Sequence, residues 1–129
     1  MNGVNFAAIG LGAALGAWCR WLLGMALNPW LPSIPLGTLA TNLIGGYLVG
    51  VAVGLFHLHT DISPALKLFA ITGFLGGLTT FSSFSAETVE RLLAGQAGWA
   101  FALMLLHLGG SLTLTWLGLM TVGAQRVWG

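Results

Sequence analysis

The sequence predicts an all-α membrane protein: four transmembrane helices, the third broken mid-membrane, assembled as an antiparallel dual-topology homodimer. Three observations carry this. Of 129 residues, 57% are hydrophobic and 5% charged, whereas a soluble domain carries about 25% charged residues. Four apolar segments each approach the ~20 residues that span a bilayer. Gly73–Phe84, read G-F-L-G-G-L-T-T-F-S-S-F, sets three glycines and four hydroxyl residues inside an apolar segment. A lipid-spanning helix needs neither. Irregular backbone survives in hydrocarbon only where protein or a cavity covers it, and broken helices at mid-membrane are where membrane proteins handle ions.

Composition also excludes. Cys19 is the only cysteine, so no intrachain disulfide forms. A net charge of +1 gives no basic patch and no case for nucleic acid. The first segment lacks a basic start and Arg20 interrupts it late, so it does not read as a cleaved signal. Residues 1–129 read as a single transmembrane domain. Four short helices are too few to enclose a roomy pathway, which favours an oligomer.

Segment one spans about residues 5–27. Gly12 and Gly16 stand four apart, with Gly10 just before, a small-residue face for close helix packing. Arg20 near its end reads as a snorkelling arginine, or as an electropositive vestibule for anions; the two are compatible. The connection Asn28–Pro35 holds three prolines and no charge, a tight, stiff loop. Segment two spans about 36–56. Gly46, Gly50 and Gly54 form a second packing face, and Thr38, Thr41 and Asn42 are its polar members. Asn42 either bonds a neighbouring helix or offers its NH₂ to a ligand. His57, His59 and Asp61 read as a solvated loop.

Segment three spans about 64–94. Ser63 suits an N-cap and Pro64 a first turn. The helix breaks over 76–82 and resumes to about Ala94, with Gly95 as its cap. Glu87 and Arg91 stand i,i+4 and are expected to pair. Segment four spans about 99–122. Leu103, His107, Ser111 and Thr115 recur every four residues on one face. His107 there reads first as a hydrogen-bonded packing residue. Arg126 and Trp128 suit an interface anchor.

Four spans place both termini and the segment 2–3 loop on one side. Lys67 and Arg126 fall there, Arg20 and Arg91 nearer the other. Two against two gives no positive-inside bias. A chain without bias inserts both ways, and its natural closed assembly is a twofold antiparallel pair.

The polar groups expected in the interior are Asn42, Thr79, Thr80, Ser82, Ser83, Ser111 and the edges of Phe81 and Phe84. Most are donors. A carboxylate ring would select cations; none is present, so the set suits an anion. Aromatic edges carry partial positive charge, although an i,i+3 pair such as Phe81 and Phe84 also suits plain core packing. The dipole of the second half-helix adds to the donors. Weak, repeated donors let an ion leave as well as arrive. Carbonyls freed at the break suit a small hard cation such as Na⁺.

Three motifs together, G-G-L-T-T-F-S-S-F, T-N-L-I-G-G and G-A-W-C-R, resemble the Fluc/CrcB fluoride channel family, and the resemblance covers all four spans. It implies a dual-topology antiparallel homodimer in the bacterial inner membrane, in both orientations. It also implies two fluoride pores, a central structural Na⁺ and no organic cofactor. By matching positions, Asn42 resembles the pore asparagine, and Phe81 and Phe84 the fluoride-facing phenylalanines. Ser82 and Ser83 resemble the adjoining hydroxyl track, with Thr80 beside them, and Ser111 a polar pore residue. Arg20 resembles the arginine near the pore mouth. The carbonyls of Gly76 and Thr79 resemble the Na⁺ ligands. The partners implied are fluoride, a second copy and membrane lipid, and the role is passive export of cytosolic fluoride. Segment four departs from the pattern: many members carry tyrosine and serine where Leu103 and His107 stand.

Three other classes compete. A small proton-coupled, dual-topology multidrug exporter needs an embedded carboxylate on its first helix, and segment one has none. A purely structural membrane subunit gains nothing from a broken helix. An enzyme needs a nucleophile with its base, and Cys19 and His107 lack a third partner.

Overall fold

The computed structural model describes residues 2–128. The chain is helical throughout its ordered elements: α1 (Gly3–Leu27), α2 (Leu36–Leu58), α3 (residues 64–78), α4 (Phe81–Leu93) and α5 (Ala97–Thr121). Four continuous stretches are long and apolar enough to cross a membrane: Gly3–Trp30, Leu36–Leu58, Pro64–Leu93 and Ala97–Thr121. The third contains both α3 and α4.

Four of the five helices start where a side chain can take free N–H groups; α5, after Gln96, has no side-chain cap. Asn2 accepts from Val4 N at 2.8 Å and opens α1. Ser63 accepts from Leu66 N at 3.2 Å, with Pro64 at the first position of α3. The start of α2 is capped from a distance: Asn28 Oδ1 accepts from Gly37 N at 2.7 Å and Thr38 N at 3.2 Å. The stiff proline loop brings that amide back over the helix it leads into. Gly95, at φ +74°, turns the chain out of α4 in a conformation that side chains rarely adopt.

Two glycine-lined pairs bring backbones together. Gly12 and Gly16 of α1 face Gly73 and Gly77 of α3: a Cβ on Gly16 would strike Phe74 O, and one on Gly77 would strike Ala13 O. Gly50 of α2 faces Gly118 and the Thr115 carbonyl of α5. Small residues allow such approach where no hydrophobic force draws helices together in lipid. The small core holds Ile34, Leu39, Phe84 and Leu103. Large apolar side chains such as Phe6, Leu93, Leu105 and Leu112 remain exposed, the pattern expected of a surface solvated by lipid.

Two turns widen to π-helical hydrogen bonding, Leu68–Leu75 in α3 and Leu105–Gly109 in α5. The periodicity of the sequence did not announce either one. π-turns often mark functional positions, and the second contains His107.

Candidate functional site

The site is built on the interruption between α3 and α4. Thr79 (φ −84°, ψ 156°) and Thr80 (φ −149°, ψ 113°) are extended. Residues 76–78 and those from 81 onward are helical, so the expected break over 76–82 contracts to two residues. The reason is economy of partners. Asn42 Oδ1 accepts from Thr80 N at 2.7 Å and its Nδ2 donates to Thr80 O at 3.0 Å. One amide therefore replaces the helical bond of Thr80 N–H and adds a second donor to its carbonyl, which as the N-cap already accepts the first bond of α4. The Thr80 hydroxyl then accepts from Ser83 N at 3.1 Å and starts α4 at once.

The diversion frees carbonyls upstream. In a continuous helix Thr80 N would donate to Gly76 O, but it goes to Asn42. Gly77 O is taken by the Arg20 Nε–H at 3.0 Å. Thr79 N and its hydroxyl both donate to Leu75 O, at 3.0 and 2.8 Å. Gly76 is exposed and its helical donor is turned away. The oxygen donors there fit a hard cation such as Na⁺. A side-chain metal cluster is a different matter: among the described residues no three His, Cys, Asp or Glu side chains gather.

Thr80 lines two cavities. One, of about 410 Å³, is lined by Asn42, Gly76, Thr79, Thr80, Phe81, Phe84, His107 and Ser111, with apolar neighbours. The other, of about 430 Å³, is lined by Arg20, Thr38, Thr80, Ser83 and Glu87, with Trp21, Gly24, Met25 and Asn28. The sequence-predicted residues thus fall into two groups that share Thr80. Ser82 stands apart: it is exposed, its Oγ 3.4 Å from Thr80 Oγ1. The Ser83 hydroxyl accepts from Thr80 Oγ1 at 3.1 Å. The Ser111 hydroxyl donates a long bond, 3.4 Å, to Asn42 O.

The aromatic pair is edge to face. Phe81 and Phe84 have centroids 5.5 Å apart and rings inclined by 72°. Phe84 is buried, whereas Phe81 is 72% exposed in the single chain. Phe84 also stacks on His107, with centroids 4.7 Å apart. His107 is buried, and its Nδ1 lies 2.9 Å from Asn42 Nδ2. Both protons of the Asn42 amide are therefore engaged, one by Thr80 O and one by His107.

The expected Glu87–Arg91 pair gives way to other partners. Glu87 accepts from the Thr38 hydroxyl at 2.8 Å, and Arg91 Nη1 donates to Gln96 at 2.9 Å. Local spacing on α4 pointed to the first pairing. Thr38 lies 49 residues away in sequence, so only the tertiary fold reveals the second.

These features define a multi-pass helical membrane protein whose interrupted third span carries a polar, aromatic-lined site. The chain matches the family described as "CrcB-like protein, Camphor Resistance (CrcB)" over residues 7–119. It is 70% identical to a protein of Dechloromonas aromatica named "Fluoride-specific ion channel FluC", over 99% of this chain and 95% of the other. Proteins of the same name from Nitrosospira multiformis and Cupriavidus taiwanensis are 64% and 58% identical. The first match covers 89% of this chain and 90% of the other, the second 94% and 96%. The chain belongs to the CrcB family, a family of membrane channels and not of enzymes.

Proposed function

We propose that this chain is a fluoride-selective channel that lets cytosolic fluoride leave passively, uncoupled from protons. The observation that carries the reading is that one residue, Thr80, lines both polar cavities beside the interruption. The relatives' printed name supports fluoride as the ion. The active form is an antiparallel homodimer, inserted in both orientations in the bacterial inner membrane, with the interruption near mid-membrane.

Arg20, held half-buried by its bond to Gly77, supplies positive potential in the cavity that it lines with Thr80 and Ser83. An anion arriving there meets the Thr80 and Ser83 hydroxyls, which can rotate their O–H groups towards it. It then passes to the edges of Phe81 and Phe84 and on towards Ser111. Asn42 holds the extended turn and lines the path. Fluoride is the most strongly hydrated halide, so it crosses a dry pore only if donors replace its water. No single donor binds it tightly, and that keeps it moving. Phe81, exposed in the single chain, is positioned to be covered by a second copy. The carbonyls of Gly76 and Thr79 would hold a structural Na⁺, which would supply positive charge and fix the freed carbonyls.

The test is efflux from liposomes loaded with potassium fluoride and started by valinomycin. The reading predicts rapid fluoride release, no chloride release, and no need for a pH gradient. Well-folded protein that releases neither ion would overturn it. Release that requires an opposing proton gradient would favour a coupled exporter.

A further inference from the structure

His107 is a buried polar group lining the first cavity that the proposed path does not use as a donor. We propose that it is a positioning residue, whose unprotonated Nδ1 fixes the Asn42 amide in the one orientation that serves both backbone groups of Thr80. This rests on the reading of Thr80 as part of the ion path.

The geometry leaves little freedom. A backbone N–H can only donate, so the Asn42 atom 2.7 Å from Thr80 N must be the oxygen. Nδ2 then faces Thr80 O at 3.0 Å, and its second proton points to His107 Nδ1 at 2.9 Å. That nitrogen must offer a lone pair, which puts the ring proton on Nε2. A proton on Nδ1 would set two donors 2.9 Å apart. Turning the amide over would relieve that clash and create another, with an NH₂ against Thr80 N–H and an oxygen against Thr80 O. A protonated His107 and an amide-bridged Thr80 therefore exclude each other.

The ring cannot swing away freely. It is 3% exposed and stacked on Phe84. Its Nε2 is buried without a partner, an arrangement that a leucine or methionine would avoid. An unpaired buried donor calls for a reason, and here the reason lies at the other ring nitrogen.

Charged neighbours turn elsewhere. On α4, Glu87 accepts from Thr38, Arg91 bonds Gln96 and Glu90 is exposed. On α2, Tyr47 donates to Thr121 and His57 stacks on Trp128. Asn42 and Phe84 are the polar and aromatic groups that meet the ring.

Two measurements test this. The first is ¹⁵N NMR of histidine-labelled wild-type protein in lipid nanodiscs at neutral pH, with the His107 signals assigned by their loss in His107→Asn. The proposal predicts an unprotonated Nδ1 and a protonated Nε2. The opposite tautomer or an imidazolium would overturn it, whether or not the protein conducts. The second is fluoride efflux of wild type, His107→Asn and His107→Leu between pH 5.5 and 8, with protein-free liposomes correcting for HF leak. Asparagine keeps an acceptor near the Nδ1 position, so it should restore flux and abolish the acid inhibition expected of wild type. Leucine should lose about tenfold at every pH, the weight of one buried hydrogen bond. Equal flux and equal pH profiles in all three proteins would overturn the assignment. A wild type that carries no fluoride would sink the channel reading, and the NMR result would then decide the positioning role alone.

Discussion

Replacing Asn42 by alanine is the perturbation that reaches deepest into this site. The amide is the structural reason that Thr80 can leave the helix: it supplies an acceptor at 2.7 Å and a donor at 3.0 Å to one residue. Its loss leaves Thr80 N–H without a partner and its C=O with only the helical bond of α4. The unpaired N–H costs about 1–3 kcal/mol and the lost carbonyl bond about 0.5–1.5 kcal/mol, so the extended turn is disfavoured by about 2–4 kcal/mol. The competing state is within reach, because Thr80 N can return to Gly76 O as in an ordinary helix. Even the lower figure, about 2 kcal/mol, cuts the population of the extended turn roughly thirtyfold. Fluoride efflux from liposomes should fall by at least that factor, and amide exchange at Thr80 should change with it. Asn42→Asp separates backbone support from charge. It keeps an acceptor for Thr80 N–H but adds a negative charge to an anion path. At ~4 Å and an effective dielectric of ~20, a like charge opposes the ion by about 4 kcal/mol, so this variant should also be silent. Flux within twofold of wild type in Asn42→Ala would refute the reasoning.

The remaining predictions divide the fold from the function. Phe81→Ile should cut fluoride flux and destabilise the folded chain by only about 0.5–1.5 kcal/mol, the weight of the one aromatic pair it makes there. Phe84→Ile should cut flux and also destabilise by about 1–3 kcal/mol, since it loses two aromatic pairs; wild-type flux in both would undo the ring-edge role. Gly16→Val should lower thermal stability by about 1–3 kcal/mol through overpacking, as its Cβ would meet the Phe74 and Leu78 backbone. Gly10→Val is the control, with open space around its Cβ position, and equal losses in the two would contradict the α1–α3 packing. Two lysines added to one membrane side should trap a single orientation and abolish activity. Full activity from singly oriented chains would rule out the antiparallel pair.

The sequence exposes the parts of this molecule that contrast with their surroundings. Glycines and hydroxyl residues inside an apolar segment mark the interruption, because a lipid-facing helix has no use for them. The width of the interruption was not readable there. It depends on Asn42, 38 residues from Thr80 in sequence, taking both of that residue's backbone groups. His107 reads in the sequence as a hydrogen-bonded packing residue, and it sits so, buried, stacked on Phe84 and bonded to Asn42; what spacing on α5 could not name is the partner, 65 residues away. The alternatives for Asn42, a neighbouring helix or a ligand, stayed open because composition cannot say where two amide protons go. The Glu87–Arg91 expectation failed in the opposite sense. A sound local rule lost to Thr38, which the α2 start brings to the carboxylate. The π-turns stayed invisible because they answer to tertiary packing and not to residue propensity.

The measurement that bears most directly on the central claim is the reversal potential of current through the purified protein in a planar bilayer. A tenfold fluoride gradient is imposed at equal pH on both sides, with chloride symmetrical. The account predicts reversal at the fluoride equilibrium value, about 59 mV for one charge per decade, unmoved when a pH gradient is added. Reversal near zero, or a reversal potential that follows the pH gradient, would contradict passive, fluoride-selective permeation.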